Sequence, residues 1–304
     1  MASLYTRASS VELVMGEECT VLCTAKFPGQ SRNDLPRMLL LHSNPANLDD
    51  WHVLAPLLSE EFEIVAADLP GFGKSDSVLR RAGESRLDAS ARSIVALADC
   101  LGWSEPFFLA GHSHGAAVAQ VIAANYPDRV AGVVLIASLG SPAHMAYRTL
   151  AFPGVAGALA IVAKLLRYRW FVPLFRLALA AIMRPIFYPA RPSREELNQR
   201  LRGFVENPHV LVSMADVARG SPSTQVLCCA EKINVPVLFF HGANDHLVPI
   251  AYARKLFAAI EKCGGQALFK TVVDGGHMLH ITHTRELSHQ ILGWADKLKL
   301  SCAP

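Results

Sequence analysis

The chain predicts an α/β protein: a mostly parallel central sheet flanked by helices and interrupted by one inserted helical segment. Three observations carry that expectation. Short apolar runs alternate with amphipathic stretches up to about residue 139. From 141 to about 225 the alternation stops, and the composition becomes helical and rich in Leu, Ala and Arg. It then returns from 235 onward. Short, uniformly apolar runs separated by amphipathic ones are what a parallel sheet with both faces covered requires, because its strands have no wet side.

Taken in order, residues 37–42 (RMLLLH) and 62–68 (FEIVAAD) read as buried strands, the second followed by a turn-rich segment to 76. A helix is expected at 85–101, where Ala, Ile, Val and Leu recur at helical spacing. Next come a strand at 106–110 (PFFLA), a Gly-containing turn, a helix at 114–125 and a strand at 130–137 (VAGVVLIA). After the insertion follow a strand at 235–241 (VPVLFFH), a helix at 251–262, a strand at 267–273 and a closing helix at 286–298. The insertion, about 85 residues, is too long for a plain loop. The organisation is therefore a core in two parts, 1–140 and 226–304, around a helical segment at 141–225.

Composition narrows the partner. The chain has 304 residues, of which 51% are hydrophobic and 18% charged, enough apolar material for a sizeable core. With 29 basic and 26 acidic residues, and no Lys/Arg run, a nucleic-acid partner is not expected. The seven cysteines are odd in number and lack CxxC spacing. Neither a disulfide framework nor a zinc site is indicated, and buried free thiols in a reducing, cytoplasmic compartment are expected. The first twenty residues lack the basic and apolar segments of a signal peptide. The most apolar stretch, 150–183, is interrupted by Lys164, Arg167, Arg169 and Arg176 and broken by Pro153 and Pro173. No uncharged run in it reaches the roughly eighteen residues a membrane span needs. Contact with a membrane surface stays open.

The chemistry-bearing segment is Gly111-His112-Ser113-His114-Gly115. It fits G-x-S-x-G between an expected strand and helix, the context in which a serine is presented on a tight turn at a helix N-terminus. A serine nucleophile needs a base to take its proton, and the base needs a carboxylate to fix its tautomer. His277, in DGGHMLH, and Asp245, in HGANDHLVP, each follow an expected strand. The order Ser113, Asp245, His277 differs from the chymotrypsin and subtilisin orders. Asp274 is an alternative acid, but it precedes His277 by only three residues and a loop-stabilising role suits it better.

These segments resemble the α/β-hydrolase superfamily, in its capped, epoxide-hydrolase-like and haloperoxidase-like branch. The segments are LLLHSNP (39–45), DLPGFGKSD (68–76), GHSHG (111–115), HGANDHLVP (241–249) and GGHMLH (275–280). The resemblance covers residues 37–295. It implies a Ser113–His277–Asp245 triad and an oxyanion hole made by the backbone N–H groups of His114 and Asn44, such donors contributing about 3 kcal/mol each. Ser43 departs from the glycine usual at its position. Epoxide hydrolases and haloalkane dehalogenases of this fold carry aspartate at the elbow, where this chain has Ser113. The resemblance gives Asp68 and Gly71 structural roles.

The implied activity is hydrolysis of an ester, lactone or thioester of a lipophilic small molecule through an acyl-enzyme, without cofactor or metal. The insertion matches the family's helical cap. Its apolar supply, including Trp170, Phe175, Leu177, Leu179, Met183 and Phe187, favours an acyl chain or ring over a sugar or peptide. Arg167, Arg169, Arg176 and Arg184 suit a solvated face, or an anionic headgroup or carboxylate. Three alternatives remain. The elbow Ser-His-Gly resembles cofactor-free dioxygenases, but their acid after the next strand is lacking in Ile136-Ala137-Ser138-Leu139. Carbon–carbon bond hydrolysis could use the same triad. A catalytically silent ligand-binding protein could keep it. Of the other histidines, His112 is expected to pack under the serine and His42 to shape the oxyanion loop. His246, His280 and His283 make no metal set.

Overall fold

The computed structural model describes residues 9–15, 18–27, 35–139, 145–152, 154–220 and 223–301. Eight strands form one sheet: β1 (Ser9–Met15), β2 (Glu18–Phe27), β3 (Arg37–Leu41), β4 (Glu63–Ala67), β5 (Phe107–His112), β6 (Val130–Ile136), β7 (Val237–Gly242) and β8 (Ala267–Val272). Their order is β1-β2-β4-β3-β5-β6-β7-β8. The pairs from β4 through β8 are parallel, while β2 pairs antiparallel with both β1 and β4.

The helices are α1 (Ala55–Leu58), α2 (Arg86–Cys100), α3 (His114–Asn125), α4 (Met145–Ala151), α5 (Val155–Leu165), α6 (Val172–Phe187), α7 (Arg194–Glu206), α8 (Val210–Gly220), α9 (Ser223–Ala230), α10 (Ile250–Lys262), α11 (Leu279–Thr282) and α12 (Thr284–Ser301). Two apolar layers sandwich the sheet, and strand alternation sorts residues between them. Leu39, Leu109, Val133 and Phe239 share one layer with α2, α3 and α10. Met38, Leu40, Phe108 and Phe240 face the other, against α1 and the Leu287, Ile291 and Trp294 side of α12.

The winding of the sheet locates the site. After β3 the chain moves outward to β4, then crosses back to place β5 on the other side of β3. Where winding reverses, neighbouring loops diverge and leave a crevice at the carboxyl ends of the strands. The loop after β3 and the turn after β5, both singled out from the sequence, meet there.

Three expectations need adjustment. The β1–β2 hairpin is absent from the sequence reading: it is a short edge unit, and its outer strand alternates exposed and buried positions instead of forming an apolar run. Pro173 does not break a helix; it stands in the first turn of α6, where its missing N–H costs nothing. Pro153 lies outside the described residues. Finally, most described cysteines are not buried: Cys23 and Cys229 are, whereas Cys19, Cys100, Cys228 and Cys263 are exposed.

Candidate active site

Ser113 sits at φ 52°, ψ −108°, between β5 and the first turn of α3. A non-glycine residue held in that region stores strain that the surroundings must hold in place. Here the surroundings are backbone. The Ser113 N–H donates to the Ile136 carbonyl at 2.9 Å. A Cβ on Gly111 would lie 2.5 Å from the Gly115 backbone, and one on Gly115 would lie 2.1 Å from the Leu41 carbonyl oxygen. The two glycines therefore let α3 press against β5 and the end of β3. The serine is turned to the carboxyl edge of the sheet and is 4% exposed.

Asp245 and His277 come from the loops after β7 and β8. His277 Nδ1 donates to Asp245 Oδ2 at 2.8 Å. Asp245 Oδ1 accepts from the N–H groups of Leu247 and Val248, at 2.9 and 2.8 Å. Burial alone would raise the Asp245 pKa, but His277 and these donors outweigh it and hold the carboxyl below its ordinary value. His241 lies 3.4 Å from the same carboxylate, yet its Nε2–H donates to the Val248 carbonyl at 2.8 Å, so it braces the loop. Asp274, the alternative acid, reaches His283 instead, at 3.2 Å.

The loop after β3 is locked by His42. Its Nε2 accepts from the Leu69 N–H at 2.8 Å, which leaves Nδ1–H to donate to the Ser43 carbonyl at 2.7 Å. Full burial pushes its pKa down to about 4, so it stays neutral. The Asn44 side-chain amide donates to the Met214 carbonyl of α8 at 3.4 Å, tying this loop to the inserted helices. His114 is buried and its pKa falls to about 3 through desolvation, so its ring stays neutral near pH 7. Asp68 accepts from the N–H groups of Leu48 and Lys74, a structural role.

His112 does more than pack. Its Nε2–H donates to the His277 carbonyl at 2.9 Å, with the two rings 4.8 Å apart. Its ring also lies 4.2 Å from that of His280, tilted by 42°. His280 in turn lies 3.9 Å from Asp50, whose other oxygen pairs with Arg200 of α7 at 2.9 Å. Arg200 holds the buried Asp50 carboxyl down at about 2 against the effect of desolvation. Ligand-type atoms of Asp50, His112 and His280 lie within 4.8 Å of one another, so His280 does enter a polar cluster, though not with His246 or His283. Arg200 already neutralises Asp50 there. No sequence signal joins positions 50, 112, 200 and 280; only the fold does.

Six helices lie between β6 and β7 among the described residues. The chain after α6 passes over the His277 loop: a Cβ on Gly276 would meet the Tyr188 carbonyl oxygen. α9 packs against α3 and α10, on the sheet-covering layer. Of the apolar residues singled out in and just before α6, Leu179, Met183 and Phe187 are buried, while Trp170 and Leu177 are exposed. A cleft of about 400 Å³ opens beside the loop after β3, lined by Pro45, Asn47 and Asp50 from the core and Arg200 and Phe204 from α7.

Comparison with known proteins gives a consistent picture. The family model for the alpha/beta hydrolase fold matches residues 36–284. The chain is 28% identical over 268 residues to a dihydrolipoyllysine-residue acetyltransferase component of the acetoin cleaving system from Pseudomonas putida, covering 86% of this chain and 63% of that one. It thus spans less than two thirds of that relative. It is also 28% identical over 274 residues to a 2-hydroxy-6-oxo-6-phenylhexa-2,4-dienoate hydrolase from Comamonas testosteroni, covering 84% and 90%. In structure it is similar to a thermophilic esterase from Thermogutta terrifontis, with TM-score 0.72, 21% identity and coverage of 96% and 99%. With an eight-stranded, mostly parallel sheet wound as described and a family match over most of its length, the chain belongs to the α/β-hydrolase family.

Proposed function

We propose that the protein is a serine hydrolase that cleaves an ester, lactone or thioester of a lipophilic small molecule through an acyl-enzyme. The observations that carry this reading are the 2.8 Å His277–Asp245 hydrogen bond and a serine held in a strained turn at a helix N-terminus. In the proposed mechanism, His277 Nε2 takes the Ser113 proton as Oγ attacks the carbonyl carbon. Asp245 keeps the imidazole oriented and stabilises its charged form. The N–H groups of His114 and Asn44 receive the oxyanion. The imidazolium then protonates the departing alkoxide or thiolate, and a water activated by His277 releases the acid. All proton transfers run through side chains and water. The helices from 141 to 225 act as the cap.

A second reading, hydrolysis of a carbon–carbon bond in a vinylogous diketone, is favoured by the similarity to the Comamonas enzyme over most of both chains. The Ser43 side chain in the oxyanion loop argues for the acyl reading. A p-nitrophenyl ester series of increasing acyl length, run on wild type and Ser113→Ala, tests the choice. Turnover that falls by about 10⁴-fold or more in the variant supports serine acyl chemistry. Failure of folded wild type to turn over any ester, with fluorophosphonate still labelling Ser113, would favour the carbon–carbon substrate or a silent binding protein.

A further inference from the structure

We infer that the outer face of α6, with the turn that leads into it, docks on the surface of an anionic lipid bilayer. α6 is apolar on two sides. Leu179, Met183 and Phe187 point inward and are buried. Leu174, Leu177 and Ile182, three to five residues apart on the opposite side, are 58%, 70% and 58% exposed. The turn before the helix adds Tyr168 and Trp170, stacked on each other at 6.4 Å and 56% and 68% exposed. A soluble surface seldom leaves so many large apolar groups together without a use.

Charge identifies the occupant. From Arg129 to Arg194 the sequence has nine basic residues and not one acidic residue, although the chain as a whole is only +3. Lys164, Arg167, Arg169 and Arg184 are exposed in and around the apolar stripe. None of them makes an ion pair among the described residues. An apolar stripe rimmed by unpaired cations, with an aromatic pair at one end, suits the headgroup boundary of a membrane with negative lipids. A second copy of this chain suits it badly, because a two-fold contact would set the cations of both faces against each other. No helix among the described residues is long and apolar enough to cross a membrane, so the helix lies on the surface and does not span it. The inference is independent of the serine chemistry.

Trp170 supplies the readout. The other three tryptophans, Trp51, Trp103 and Trp294, are buried, so a change in emission on binding reports the α5–α6 turn. The experiment is co-sedimentation and tryptophan emission of the full chain, in a Ser113→Ala background so that lipid is not consumed. It uses phosphatidylcholine vesicles with and without about one third phosphatidylglycerol. Binding should be about ten-fold or more tighter to the anionic vesicles, weaken with salt, and shift Trp170 emission to the blue. Arg167→Gln with Arg169→Gln should remove most of the anionic preference, and Leu174→Ser with Leu177→Ser most of the binding, without lowering Tm. No binding to either vesicle overturns the inference. So does equal binding to both that the arginine changes leave alone. Self-association in sedimentation velocity that Leu174→Ser with Leu177→Ser abolishes would instead assign the face to a second copy and overturn it.

Discussion

Helices α3 and α5 are made of nearly the same residues and end in opposite environments. HGAAVAQVIAAN and VAGALAIVAKL are both runs of Ala, Val and Ile with a glycine near the start. In α3 ten of twelve residues are buried; in α5 none is. The difference lies in what each helix touches. α3 is pressed between the sheet, α2 and α9, whereas α5 packs mainly on α4 and α8. Composition alone therefore does not tell a core helix from one laid over the core. The site-bearing helix is held from every side, and the inserted one keeps an open face.

Several changes would break or sharpen that contrast. The largest effect belongs to the loops the core helix serves: Asp245→Asn should lower kcat on a cleavable ester by about 10⁴-fold, because the amide would favour the wrong His277 tautomer. A loss under ten-fold, measured by steady-state kinetics, would move the acid elsewhere. Next, Gly115→Ala drives a methyl into the Leu41 carbonyl oxygen and should cost about 3 kcal/mol or more in urea unfolding. A third effect is pH. His42, held neutral with a pKa of about 4, takes up no proton in the fold between pH 6.5 and 4, while the unfolded chain does. Stability therefore falls as pH falls through that window, by about 3 kcal/mol for this residue. His112, His114, His241 and His280, also lowered by burial, act in the same direction. Asp68 opposes them, since burial raises it to about 6 and its protonation favours the fold as pH falls. His42→Gln should flatten the slope of unfolding free energy against pH. The smallest effect carries the opposite sign: Gly157→Ala, where an added Cβ meets nothing within 4 Å, should stabilise α5 by about 0.5–1 kcal/mol. A destabilisation there would mean that α5 packs more closely than its exposure indicates.

What was legible in the sequence follows the same division. The segments around Ser113, Asp245 and His277 stood out because the proposed chemistry and the tight turn both restrict residue choice at strand ends. The strands between 37 and 137 were legible because burial on both faces leaves an unbroken apolar run. The β1–β2 hairpin was not, since an edge strand with one wet face carries a weaker pattern. The association of α9 with α3 was hidden too: its residues, STQVLCCA, differ little from those of the preceding inserted helices. Nor could the contact of His112 with the His277 carbonyl, or the link from Arg200 through Asp50 to His280, be read, because their members are scattered along the chain. The apolar residues of α6 were visible as a set, but not their division into an inner and an outer face.

The hydrogen bond from His112 to the His277 carbonyl also bears on how such a chain can vary. It makes an imidazole ring a ruler between the turn after β5 and the loop after β8, its two bonded residues standing 165 apart in sequence. A gauge fixed by one ring is indifferent to the length of chain looping out between its two ends. Insertions, deletions or wholesale replacement between β6 and β7 can then change what the protein covers itself with, while the working distance at the sheet edge keeps its tolerance.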